Sequence, residues 1–225
     1  MSELEFARYK TFTTEYFPNS PVTNSGITRK IYNVVQHNID FMKLLDSVDS
    51  EADRERKNLY KTYYLLNLRV LYHLSSNDPF IDGVIIRAIV ENLLRLATSL
   101  LKFESRNIID LSFSDMKDAL ESKGFQHRYR EFYENLCNYF GTYSKDVHGE
   151  NVYRLSEQEF LVSIRKDKDE EHLNKLFRVY SKLNELMIPF FLKEISTKQK
   201  DLTVGNLSKI LSLVGEGNYE LFCSK

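Results

Sequence analysis

The run Pro79-Phe80-Ile81-Asp82-Gly83-Val84-Ile85-Ile86-Arg87-Ala88-Ile89-Val90-Glu91-Asn92-Leu93-Leu94-Arg95-Leu96-Ala97-Thr98-Ser99-Leu100 decides the fold. Its apolar residues Ile81, Val84, Ile85, Ile86, Ile89, Val90, Leu93, Leu94, Leu96 and Leu100 recur at helical spacing and leave almost no polar face. A helix that apolar must be covered on most sides, so it belongs at the centre of a helical protein. Ser75-Ser76-Asn77-Asp78 ahead of Pro79 is a start signal, because proline tolerates the first helical position and Asp or Asn caps it. The pattern runs to about Phe103.

Toward the N-terminus, Leu59, Tyr63, Leu66, Val70 and Leu74 mark a second helix, whose early charges from Glu51 to Lys57 suit an exposed first turn. Before it, Ile31, Val34, Val35, Ile39, Met42 and Leu45 mark another, with capping chemistry in Asp46–Ser50. Phe17–Gly26 reads as a loop, and Leu4–Tyr16 as a short docking helix. Toward the C-terminus a short helix starts at a cap in Phe113-Ser114-Asp115 and ends at Gly124. A long helix runs from about Gln126 to Val147 and ends at Gly149. Arg154–Ile164 admits both a short strand and a helical turn. Asp169–Ile195 is helical, with Pro189 a kink or an interruption, and a last helix over Leu202–Val214 is stopped by Gly215 and Gly217. The expectation is an all-α, up-and-down helical bundle over residues 27–195, with an N-terminal docking segment over 1–26 and a C-terminal helical appendage over 196–225.

Composition narrows the function classes. The 225 residues are 42% hydrophobic and 13% aromatic, enough for a packed core and too much for a disordered chain. A net charge of −1 provides no global field for nucleic acid, so contact with RNA would have to use a local patch. No run approaches the ~18 apolar residues of a membrane span. Cys137 and Cys223 form no disulfide framework, and the charged Met1–Phe6 stretch is no signal peptide, so the cytoplasm is the expected location.

Two places carry candidate chemistry. Arg87, Glu91 and Arg95 stand four apart and share a face of the apolar helix. An ion pair at the rim of the core accounts for them. So does a site, because partly buried charge needs arranged partners. The second place is Tyr143-Ser144-Lys145-Asp146-Val147-His148-Gly149, where His148 falls at a helix end, a position that favours its protonated form. A capping His before a terminating Gly accounts for it structurally. Ser144, one turn earlier, is placed to hydrogen-bond His148, and Lys145 adds a cation. Arg128, Arg130 and Lys145 form either a modest basic patch with Arg87 or a solvated face. Tyr60, Tyr63, Tyr64 and Tyr72 read as core and interface. His37, His73, His127 and His172 show no metal-ligand spacing, and no phosphate-binding loop or nucleophile elbow is present, so neither metal nor cofactor is expected.

Together, the Arg-x-x-x-Glu helix (Arg87, Glu91) and the later helix end Tyr-Ser-x-x-Val-His-Gly (Tyr143, Ser144, Val147, His148, Gly149) resemble the HEPN superfamily over about Asp78–Gly149. The resemblance implies a four-to-five-helix bundle that dimerises with its His-bearing helix ends facing each other. It implies a metal-independent endoribonuclease of a bacterial phage-defence or toxin–antitoxin system. His148 would be the acid or base, Arg87 the phosphate clamp and Glu91 its orienting partner, with Tyr143, Ser144 and Lys145 lining the substrate. One departure stands out. The usual signature carries an Arg five to seven residues ahead of the His on the same helix, where this chain has Gly141, Thr142 and Tyr143. Either Arg87 supplies that charge, or the domain is a non-catalytic relative that binds RNA or a protein partner, as an antitoxin or defence-complex subunit would.

Overall fold

The computed structural model describes residues 3–18, 20, 26–75, 78–101, 107–147, 156, 158, 170–196 and 203–223. Among them are nine α-helices and no strand: α1 Glu3–Tyr16, α2 Gly26–Val48, α3 Arg54–Leu74, α4 Pro79–Leu100, α5 Phe113–Ser122, α6 Phe125–Arg128, α7 Arg130–Val147, α8 Glu170–Ser196 and α9 Val204–Cys223. None is long and apolar enough to cross a membrane. Arg154, Leu155 and the 159–164 stretch, read as strand or helical turn, lie outside the described residues.

Local chemistry sets the helix starts. Asp78 caps α4, its carboxylate accepting from Phe80 N (3.0 Å) and Ile81 N (3.4 Å), with Pro79 just inside. Asp53 caps α3 by accepting from Arg56 N at 2.8 Å. The cap of α5 lies one residue before the expected stretch: Ser112 accepts from Asp115 N while Asp115 accepts from Ser112 N, a reciprocal capping box. Gly124 is left-handed (φ 69°), which permits the tight turn into α6 without Cβ strain.

The expected long helix from Gln126 is interrupted. Tyr129 leaves helical geometry (φ −132°, ψ 46°), separating the one-turn α6 from α7. Its ring packs edge-on to Phe190, 4.9 Å away at 81°, and its hydroxyl donates to Glu194 Oε1 at 2.6 Å. Tertiary packing thus outweighs local propensity at a place with neither Gly nor Pro. Pro189, in contrast, stays inside a continuous α8. Gly215 (φ 79°, ψ 167°) breaks the last helix, but helical structure resumes and runs through Gly217 to Cys223.

Cross-helix contacts fix the directions. Short links make α3 antiparallel to α2 and α4 antiparallel to α3, with Arg56 on α3 bonded to Ser99 on α4. Along α7 and α8, Tyr129 meets Glu194, Glu131 meets Lys182, and Tyr143 meets Lys175, so these two are antiparallel. Along α2 and α8, Lys30 meets Phe177, Asn38 meets Asn184 and Phe41 meets Phe191, so these run parallel. The result is an up-and-down bundle of α2, α3, α4, α7 and α8, as the sequence led one to expect. The starts of α2, α4 and α8 share one end with the finishes of α3 and α7.

The core is continuous. Ile86, Ile89, Val90, Leu93 and Leu96 of α4 are fully buried, with Phe41, Met42, Tyr60, Tyr63, Leu183, Phe190 and Phe191 around them. Phe125, Phe132, Phe190 and Phe191 pack ring to ring at 4.9–6.1 Å, and such pairs add about 0.5–1.5 kcal/mol each beyond area burial. α1 lies over α2 and α3. Tyr9 stacks on Tyr32 at 4.9 Å and donates to the Leu71 carbonyl at 2.8 Å. α9 packs on α8 and α2 through the fully buried Ile210. His37 Nε2–H donates to the Leu213 carbonyl at 2.8 Å, near the Gly215 break, while Nδ1 accepts from Asn184.

One expectation is overturned. The first turn of α3 is not an exposed charged turn throughout, because Arg56 is buried. Its Nη1 donates to Asp49 Oδ2 at 3.1 Å, its Nε to Ser99 Oγ at 2.9 Å and its Nη2 to the Ser99 carbonyl at 3.2 Å. Tyr60 donates to the same Asp49 oxygen at 2.8 Å. Burial beside Asp49 drives the Tyr60 phenol far above its ordinary range. Removing one member of such a pair strands the other charge, so Arg56→Ala is expected to lower unfolding free energy by about 3–5 kcal/mol. Urea denaturation of the single variant beside Asp49→Leu/Arg56→Met checks this, with the double variant recovering most of the loss.

A second expectation concerns alkaline pH. Burial raises the Tyr9 phenol from 10.0 to about 12. A raised folded-state value contributes stability that is complete below pH 10 and is lost as pH climbs toward 12. The slope of stability against pH over that window should flatten in Tyr9→Phe.

Candidate functional site

α4 presents its one charged stripe toward the C-terminal part of α7. Glu91 bridges two cations there. Its Oε2 accepts from Arg87 Nη1 at 2.9 Å and its Oε1 pairs with Arg95 Nη2 at 2.7 Å. All three side chains are 20–26% exposed, so the group is partly desolvated and carries one net positive charge. The spacing alone places them together, since residues four apart on a helix are neighbours.

α7 supplies the rest of the Arg87 environment. Arg87 Nε donates to Ser144 Oγ at 3.3 Å, and Ser144 Oγ donates to the Phe140 carbonyl at 2.6 Å. The guanidinium carbon lies 4.7 Å from the centre of the Phe140 ring. Phe140 in turn stacks on Phe113 of α5, 3.9 Å away and 7° from parallel. The guanidinium is therefore held by a carboxylate, a hydroxyl and an aromatic face. Its Nη2 has no hydrogen-bond partner among the described residues. A fixed planar cation with an open donor edge is the arrangement that recognises a phosphate or carboxylate oxygen.

The other sequence-predicted residues divide. Ser144 joins Arg87 and Glu91. Tyr143 points to the neighbouring side of α7, buried 5.7 Å from Lys175 Nζ of α8. Lys145 is exposed in the last turn. His148 and Gly149 lie outside the described residues, just beyond Val147, where α7 closes. Arg128 and Arg130 do not join Arg87. Arg128 pairs with Glu194 at 3.5 Å and Arg130 with Glu134 at 2.8 Å, both at the opposite end of α7. From Arg130 to Ser144 is about 21 Å of helix at 1.5 Å per residue, so no shared basic patch forms.

One pair was missed from the sequence. His172, in the first turn of α8, lies 3.0 Å through Nε2 from Asp82 Oδ2 of α4. Asp82 is buried, while His172 keeps 22% of its side chain exposed. The readable signal was Asp82 itself, an acid inside a helix otherwise apolar around it, which must find a donor when buried. The imidazole–carboxylate pair lies at the same end of the bundle as Arg87 and Ser144. Near it, Tyr180 is fully buried beside Asp82 and Tyr143, and desolvation pushes its phenol well above the ordinary value. Among the described residues no group of three His, Cys, Asp or Glu side chains is arranged to hold a metal ion.

No protein-family model, no curated protein and no solved structure matches the chain.

The geometry makes Glu91 the residue that restrains Arg87. Glu91→Ala leaves two partly buried guanidinium groups without a carboxylate and should cost about 1–3 kcal/mol. Ser144→Ala removes a single longer bond and should cost about 1 kcal/mol or less. Urea midpoints of both variants check the order; a larger loss in Ser144→Ala would place the restraint on α7 instead.

Proposed function

We propose that this chain is a HEPN-like helical protein of a bacterial defence or toxin-type system that acts on RNA as a metal-independent endoribonuclease. The observation that supports the reading is Arg87, which Glu91, Ser144 and Phe140 fix in place, with Nη2 unpartnered among the described residues, at the end of the bundle where α7 finishes one residue before His148 in sequence. In the reaction, the 2′-hydroxyl oxygen attacks the adjacent phosphorus and the bond from phosphorus to the 5′-oxygen breaks. A base takes the hydroxyl proton and an acid returns one to the leaving oxygen, giving a 2′,3′-cyclic phosphate and a 5′-hydroxyl. His148 is the proton carrier in this scheme, Arg87 stabilises charge growing on the phosphate oxygens, and Glu91 orients Arg87. His172 on Asp82 offers a second imidazole at the same end. A homodimer with facing α7 ends would bring in a second His148.

A second reading is a non-catalytic helical module for RNA or a protein partner. It is favoured by Gly141, Thr142 and Tyr143 standing where active relatives carry their Arg. The two part on one assay. Purified protein is incubated in EDTA with single-stranded and structured RNA, and products are resolved by end-group. The endoribonuclease reading predicts cyclic-phosphate products, a rate about 10²–10⁴-fold lower in His148→Ala and about 10²–10³-fold lower in Arg87→Ala. Folded wild-type protein that leaves both RNAs intact would contradict the endoribonuclease reading, and capture of a partner would then test the second.

A further inference from the structure

α3 is an outer helix, flanked by α2 and α4. Along its solvent side Leu65 is 50%, Leu68 45% and Tyr72 50% exposed. Single exposed apolar residues are ordinary, but these three are spaced three and four apart, so they form one stripe on one helix face. The stripe continues onto α1. Tyr72 packs against Phe12 at 6.2 Å and Phe17 at 5.5 Å, and Tyr16, which packs on Phe12 at 4.9 Å, is 63% exposed.

The exposed charges on α3 itself have one sign, while Glu15 is an exposed acid beside Tyr16 on α1. The exposed charged residues of α3 are Arg54, Lys57, Lys61 and Arg69. None has an ion-pair partner among the described residues. The one acid within α3, Glu55, is half-buried and accepts from Ile109 N at 3.1 Å. Asp53, at the cap, is occupied by Arg56 N.

We propose that the outer face of α3, extended by Tyr16, docks an acidic amphipathic helix of a partner protein. Apolar side chains repeating every three to four residues on that helix would cover Leu65, Leu68 and Tyr72, and Asp or Glu beside them would pair with Lys61, Arg69 and Lys57. Charge decides among occupants. A second copy of this face would bring its own four cations against these four, which opposes self-association. RNA would satisfy the cations but leave the two leucines against a polar ligand that cannot cover them. An acidic helix satisfies both chemistries, because it has an apolar stripe and the opposite charge. The inference is independent of the RNA chemistry assigned to Arg87 and His148.

The probe is a fluorescein-labelled helical peptide with Leu at the two seam positions of successive heptads and Glu at the flanking positions, titrated with the full chain and followed by anisotropy. A matching Lys peptide, a single-stranded RNA and phosphatidylserine vesicles are run in parallel. Saturable binding of the Glu peptide is expected, at least ~10-fold weaker in Leu65→Ser/Leu68→Ser. Lys61→Glu/Arg69→Glu should lose the Glu peptide and gain the Lys peptide. These exposed substitutions should leave circular dichroism and the urea midpoint unchanged, which separates docking from folding. The proposal is overturned by no saturable binding of the Glu peptide, by equal affinity in the serine variant, or by saturable binding of only the RNA or the vesicles.

Discussion

The need to cover α4 on nearly every side places the other helices of the bundle. A helix carrying Ile85, Ile86, Ile89, Val90, Leu93, Leu94 and Leu96 must be covered nearly all round, and α3, α5, α7 and α8 cover it. The face that keeps partial exposure carries Arg87, Glu91 and Arg95, with Ile81, Val84 and Ala88 beside them. The charges cannot be buried outright, so the covering helices leave a seam along them. The seam is bounded by α7 because Ser144 and Phe140 are the neighbours that satisfy Arg87. The same requirement that builds the core therefore decides where the fold presents a fixed cation.

The two ends of the bundle use arginine differently. At the end where α2, α4 and α8 finish, Arg56 is 5% exposed, and Nε, Nη1 and Nη2 all donate to Asp49 or Ser99. That guanidinium is consumed by structure and joins α3 and α4 to the turn after α2. At the other end Arg87 is 26% exposed and Nη2 has no partner among the described residues. The same residue type is a tie in one place and an open donor in the other. The difference lies in how many of its N–H groups the fold has used.

Most of the helices were legible because their signals are local. Asp78-Pro79 announces α4, and the spacing of Ile31, Val35, Ile39 and Met42 announces α2, all four of them buried. The Arg87–Glu91 pair was legible for the same reason, as two residues one turn apart. What depends on distant contacts was not. Arg56 lies among Arg54, Glu55 and Lys57 and looks like them in sequence, yet its register turns it inward toward Asp49 and Ser99. The break at Tyr129 has no Gly or Pro to mark it and follows from the meeting with Phe190 and Glu194, more than sixty residues away. His172 looked uninformative because its partner, Asp82, lies ninety residues earlier.

In the proposed function, Arg87 contacts an RNA phosphate beside His148. That contact is tested most directly by NMR of the arginine Nε–H and histidine ring resonances during titration with an RNA made uncleavable by 2′-O-methylation. Saturable shifts of the Arg87 Nε–H and the His148 ring with one common affinity are expected, while Arg56 Nε–H stays in place. RNA that binds without moving Arg87 or His148, or that does not bind at all, would contradict it.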